Sequence, residues 1–267
     1  MLPLLVFLAF IASGCGQTTN AAAIEKGTVR QQASIEWSAP EMEVPPLLEE
    51  PSEPLGALAG KTICVDPGHC VTSEKQQERV SPKSEEMKNV FGGGTTGKNQ
   101  TEEQLNLKVG LMLKEALNAE GANVLMTREV SEIAINNIER AQIGNRADCC
   151  IRIHADGVDD PSVHGISVLV PSGDLLGTPG IITPSRSLGE LMLKHLVEQT
   201  GAKDRGVVNR SNLVGFNWSE VPVVLVEVGF MTNPGEDALM GEIDYQRLIV
   251  NGITEAIIEW FYIQDGL

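Results

Sequence analysis

From Lys61 onward the chain alternates short apolar runs with longer stretches whose apolar residues recur at helical spacing, and few architectures accommodate that pattern. Thr62-Ile63-Cys64-Val65-Asp66 reads as a strand over 62–66, stopped by Pro67-Gly68. The segment 71–100 is polar, with glycines toward its end, and reads as a loop long enough to serve function. Thr101 forms a capping box with Gln104, and Leu105, Val109, Met112, Leu113, Ala116 and Leu117 line one face of a helix that lasts until Gly121. The same reasoning predicts strands over 123–126, 149–153, 165–170 and 223–228, and helices over 135–145, 187–199 and 245–262. Strands alternating with helices imply an α/β fold: an open mixed, mostly parallel sheet with helices on both faces. Ligands in such sheets gather beyond the carboxyl ends of the strands, and His69, His154 and Glu227 each fall at or just past a predicted strand end.

The chain has 267 residues, 42% of them hydrophobic, which suffices for a core. Its formal net charge of -16 argues against nucleic acid as a partner, because phosphate binding needs a basic face. Residues 1–11 form an apolar run that ends in Ala12-Ser13-Gly14-Cys15, which resembles a bacterial lipoprotein signal with the lipid on the cysteine. The expectation is a lipoprotein-type signal peptide over 1–15 and export to the outer face of the cytoplasmic membrane or the cell wall, with membrane attachment through Cys15. A conventional cleaved signal and secretion is the alternative. Residues 16–59, rich in Pro, Glu, Ala, Gln and Ser, read as a disordered acidic tether, leaving 60–267 as one folded domain, expected to be a monomer. Cys64, Cys149 and Cys150 lie inside apolar runs, where cysteine behaves as a small buried hydrophobe and not as part of a disulfide framework.

The chemistry narrows to few residues. A hydrolytic zinc site needs three nitrogen or oxygen ligands and an open position for water, and the only histidines are His69, His154, His164 and His195. His195 sits in a periodic helix and reads as a helix-surface residue; His164 precedes a strand and reads as loop. Glu227 stands inside Val223-Val224-Leu225-Val226-Glu227-Val228, where a buried carboxylate is costly unless it is neutralised or placed in a site. Glu102 alone reads as an acidic residue favoured in a first helical turn. Arg152, two residues before His154 on one strand, faces the same side and would meet either a substrate carboxylate or a buried partner such as Asp148 or Asp156.

Four blocks in order carry a resemblance. Ile63-Cys64-Val65-Asp66-Pro67-Gly68-His69, Glu102-Glu103-Gln104-Leu105-Asn106-Leu107, Ile151-Arg152-Ile153-His154-Ala155-Asp156, and Pro222 through Asn233 with Glu227 and Gly229-Phe230 resemble the zinc-type bacterial N-acetylmuramoyl-L-alanine amidases. Met126-Thr127-Arg128, Glu139-Arg140 and Arg205-Gly206-Val207 fall between them in family order, so the match spans about 61–263. The resemblance implies a zinc ion on His69, Glu102 and His154, with Glu227 as catalytic base. It also implies peptidoglycan as substrate, cut between N-acetylmuramic acid and the L-alanine of the stem peptide. Cys70 stands where the family often has glycine, and a thiolate ligand there is a further reading. A zinc peptidase acting on a stem-peptide bond and a non-catalytic peptidoglycan-binding module are the competing functions. Some family members insert an inhibitory helix after the His-motif strand; here 172–186 is short and carries Gly173, Gly177, Pro179, Gly180 and Pro184, which disfavours a long helix.

Overall fold

The computed structural model describes residues 56–71, 77–90 and 93–267; Cys15 and the tether as far as residue 55 lie outside the described residues. In chain order the elements are β1 (Thr62–Pro67), β2 (Gln77–Ser81), β3 (Ser84–Asn89), α1 (Glu102–Ala119), β4 (Asn123–Met126), α2 (Asn137–Gly144), β5 (Cys149–Asp156), β6 (Ile166–Pro171), α3 (Ile182–Thr200), β7 (Asp204–Arg210), α4 (Val214–Asn217), β8 (Val223–Phe230), α5 (Pro234–Gly241) and α6 (Ile243–Gln264). Six strands form one sheet in the order β4-β1-β5-β8-β6-β7, and β2 and β3 pair separately as an antiparallel hairpin. Strands β4, β1, β5 and β8 are parallel; β6 joins β8 antiparallel, and β7 follows β6 in parallel. The expected mixed, mostly parallel α/β sheet is what forms.

Period-two alternation divides the sheet residues between its faces. Ile63, Val65, Ile151, Ile153, Val224 and Val226 belong to one face and share a core with Leu105, Val109 and Leu113 of α1, Met192 of α3 and Ile253 of α6. Cys64, Cys150, Leu169, Val223 and Leu225 belong to the other and form a smaller cluster with Phe216 of α4 and Ile181. The cysteines Cys64, Cys149 and Cys150 are buried and unbridged, as expected of small hydrophobes. Leu58, ahead of β1, is fully buried in the larger core, and its backbone N–H donates to Glu120 O at 2.8 Å. No helix among the described residues is long and apolar enough to cross a membrane.

The helix from Thr101 starts on the capping box read from sequence: Thr101 accepts from the Gln104 N–H, and the Gln104 side chain accepts from the Thr101 N–H. Five elements, β2, β3, β7, α4 and α5, had no sequence signal. The hairpin lies inside the segment read as loop, because Ser84–Asn89 is a run of exposed polar residues with nothing to alternate. Strand β7 is an edge strand with mostly exposed side chains, and α4 and α5 are one and two turns long. Helix α3 begins at Ile182, five residues ahead of 187, since Pro184 falls in its first turn, where the missing N–H costs no intrahelical bond.

Candidate metal centre

The carboxyl edge of the sheet assembles the site. Beyond β1 the chain turns through Gly68 to His69, which takes φ 60°, the one positive φ of a non-glycine among the described residues. That left-handed conformation costs about 1–2 kcal/mol, so something must hold it. Two buried guanidinium groups do. Arg140 donates to Pro67 O at 2.7 Å and His69 O at 2.8 Å, and Arg128 donates to Pro67 O and Gly68 O, both at 2.9 Å. Every carbonyl of Pro67-Gly68-His69 is therefore caught by a charged donor. Gly68 is required by space as well, since a Cβ there would come 2.3 Å from the His154 ring.

His69, Glu102 and His154 meet at this edge. Glu102 Oε1 lies 3.0 Å from His69 Nε2 and 2.9 Å from His154 Nδ1, and one ligand atom from each residue can be chosen so that all lie within 4.8 Å of one another. The imidazole rings stand edge to face, centroids 4.9 Å apart. The capping box delivers Glu102 as the first residue of α1, and the backbone N–H groups of Thr95 and Ala155 donate to its two oxygens at 2.7 and 3.2 Å. Burial pushes the Glu102 carboxyl up, but hydrogen bonds from His154 and then His69 outweigh it and hold the group well below the usual carboxylate range. Burial lowers the His154 pKa, which favours the neutral, metal-binding imidazole. Two imidazoles and a carboxylate brought this close are the donor set a hydrolytic zinc ion takes.

Arg152 does face the His154 side, but its partner is neither Asp148 nor Asp156. Its Nε donates to Asp66 Oδ2 at 2.7 Å and its Nη2 to Asn137 Oδ1 at 3.0 Å. Asp66 sits beside it in the β1–β5 register, a contact that sequence separation hid. Arg140 and Thr127 donate to the other Asp66 oxygen at 2.5 and 2.6 Å. Burial would raise the Asp66 pKa, yet Arg140, Arg152 and Thr127 together hold it well below the ordinary value. Arg128, which packs beside this group, pairs with the buried Glu103 at 2.9 Å. Asp66, Glu103, Arg128 and Arg140 were visible in sequence only as motif positions, and charged residues next to apolar strand runs were the available signal.

Glu227 stands beside His154 in the β5–β8 register, so its side chain shares the face that carries His154, Arg152 and Asp66. Its Oε2 is buried and has no hydrogen-bond partner among the described residues. Burial, then the nearby Asp156 and Glu102 carboxylates, push its pKa well up, against an opposing pull from Arg210. A carboxylate kept poised and unpaired beside the candidate ligands suits proton transfer. Cys70 is buried but does not join the cluster of candidate ligands. His164 is exposed in a loop, its Nδ1 2.9 Å from Ser162 O. His195 packs between α3 and α6, its Nε2 2.5 Å from Glu259.

A family model described as N-acetylmuramoyl-L-alanine amidase matches residues 63–259. The N-acetylmuramoyl-L-alanine amidase Rv3717 of Mycobacterium tuberculosis is 28% identical over 222 residues, which cover 78% of this chain and 91% of that protein. The probable cell wall amidase LytH of Staphylococcus epidermidis is 25% identical over 204 residues, and the chain spans 60% of its length. Among solved structures, the amidase Ami1 of Mycobacterium smegmatis superposes with a TM-score of 0.70 at 27% identity, over 78% of this chain and 99% of that one. The family model thus covers every residue of the ligand cluster together with Glu227, and the chain belongs to the N-acetylmuramoyl-L-alanine amidase family.

Proposed function

We propose that this amidase hydrolyses the amide between the lactyl group of N-acetylmuramic acid and the L-alanine of the peptidoglycan stem, with zinc held by His69, Glu102 and His154. The observation that carries the reading is the convergence of one atom from each of these residues to within 4.8 Å, beside Glu227, whose Oε2 is buried and without a hydrogen-bond partner among the described residues. When bound, zinc supplies Lewis acidity, making water a nucleophile near neutral pH and polarising a carbonyl oxygen. Glu227 removes a proton from the attacking water and returns it to the departing alanine amine. Its raised pKa makes it a stronger base for the first step. Arg128 and Arg140 keep His69 in its left-handed conformation through the carbonyls they grip. One chain supplies all four residues, so a monomer suffices.

Export and anchoring through a lipid on Cys15 belong to the same reading, supported by Ala12-Ser13-Gly14-Cys15 and by relatives named as cell wall amidases. Cys15→Ala should shift the protein out of the membrane fraction or leave it unprocessed; unchanged fractionation and processing would rule out lipidation. The central test is product analysis on purified peptidoglycan. New N-terminal alanine on stem peptides released from intact glycan supports the reading, while fragments cut within the stem would make the enzyme a peptidase. Metal analysis should find one zinc per chain, lost in His69→Ala and in His154→Ala.

A further inference from the structure

Beside the two histidines lies a cavity of about 140 Å³ whose walls carry Lys88 and Asn89 from β3, Asn137 and Arg140 from α2, and Arg152 from β5. In a chain with 36 acidic and 20 basic residues, three cations line this space and, among the described residues, no carboxylate does. Three carboxylates stand behind the walls. Asp66 is shared by Arg140 and Arg152, and Glu78 gives its oxygens to the N–H groups of Asn137 and Ile138 and to the Asn137 side chain. Asp66 serves Arg140 and Arg152, Glu102 is taken by the two histidines, and Lys88, opposite Glu78 in the hairpin register, makes no ion pair among the described residues. Arg140 has committed its donors to Asp66 and to backbone carbonyls, and Arg152 donates through Nε to Asp66 and through Nη2 to Asn137 while its Nη1 packs against Gly215. The hairpin that brings Lys88 is pinned to the body: Asn217 donates to Val80 O at 3.0 Å, Trp218 donates to Arg79 O at 2.9 Å, and the Ser81 hydroxyl donates to Leu175 O.

We propose that this cavity is a carboxylate subsite, with Lys88 and Arg152 as the residues that select for an acidic residue in the stem peptide. The proposal rests on the amidase reading above for the direction of the substrate. The lactyl carboxyl group is consumed in the scissile amide, so an anion next to the cleaved bond can come only from the peptide side. A carboxylate there meets the unpaired Lys88 ammonium and the buried Arg152 guanidinium, and charge-assisted hydrogen bonds of this kind are strong.

The test compares N-acetylmuramoyl-L-alanyl-D-glutamate with N-acetylmuramoyl-L-alanyl-D-isoglutamine, which replaces the carboxylate next to the alanine by a carboxamide. The zinc-loaded full chain should show kcat/KM at least about tenfold higher for the carboxylate, the size expected of one charge-assisted contact. Lys88→Ala should bring the two substrates near parity. Calorimetry of the dipeptides L-alanyl-D-glutamate and L-alanyl-D-isoglutamine should show the same preference and the same loss in Lys88→Ala. Equal rates and equal binding in the wild type, or a preference that survives Lys88→Ala, would overturn the subsite. Inorganic phosphate displacing the dipeptide as well as glutamate does would overturn the assignment to a stem carboxylate in favour of a general anion site. If neither muramoyl peptide were cleaved but the dipeptide preference held, the amidase reading would fail and the subsite would stand.

Discussion

The two faces of the sheet are built on opposite principles. One carries a continuous apolar core from α1, α3 and α6, with Ile63, Ile151, Ile153, Val224 and Val226 fully buried and no charge among them. The other has a smaller apolar cluster and then, toward the carboxyl ends of the same strands, Asp66, Arg152, His154 and Glu227. Adjacent residues on one strand therefore go to the core and to the candidate site in turn: Ile151 and Ile153 to the core, Arg152 and His154 to the candidate site. Stability comes from the first face, and the second carries buried charges whose cost is offset only because nearly every one is paired. The exception is Glu227, whose Oε2 has no hydrogen-bond partner among the described residues.

That contrast can be broken first at Glu227. Glu227→Gln keeps size and shape, so it should retain fold and zinc while kcat falls by about 10²–10⁴-fold, the range of a general base. Loss of zinc in this variant would make Glu227 a ligand. Asp66→Asn attacks the paired charges: removing the one carboxylate between Arg140 and Arg152 should destabilise by about 3–5 kcal/mol and weaken zinc binding through His69, read by denaturant midpoint and metal titration. Unchanged zinc affinity would show that His69 is held without this network.

On the apolar face, Leu113→Ala should cost about 2–5 kcal/mol in stability yet leave turnover per folded molecule unaltered. A fall in kcat would show that the faces are coupled. Acid sharpens the same distinction. The folded pKa of Asp66 lies below its ordinary value of about 3.9, so its contribution is present above that pH and disappears as pH falls through the lower folded value. The stability gap between wild type and Asp66→Asn should therefore shrink from neutral pH toward about pH 3, whereas the gap for Leu113→Ala should not track Asp66 protonation. The smallest effect belongs to Thr101→Ala, which removes one half of the capping box and should cost about 1 kcal/mol.

The larger core was legible because its residues repeat. Alternation along β5 and β8 and the helical spacing of Leu105, Val109 and Leu113 are local patterns, and burial follows from them. The three candidate ligands were legible through short motifs, each placed at a strand end or a helix start. The hairpin was not, since Lys88 and its neighbours are exposed and polar, and neither propensity nor period distinguishes such a strand from a loop. Strand β7 was missed for the same reason.

What the sequence determined by itself was therefore what neighbours along the chain carry as a pattern: an α/β domain, the strand ends where the candidate site gathers, the capping box that presents Glu102, and the motif residues of the amidase family. Only the tertiary structure decided which charges neutralise one another. Arg152 lies 86 residues from Asp66, Arg140 74, and Arg128 25 from Glu103. Charge pairing has no sequence period, because Coulomb attraction depends on distance in space and on shared burial, and both are set only when β1, β5 and α2 have packed together.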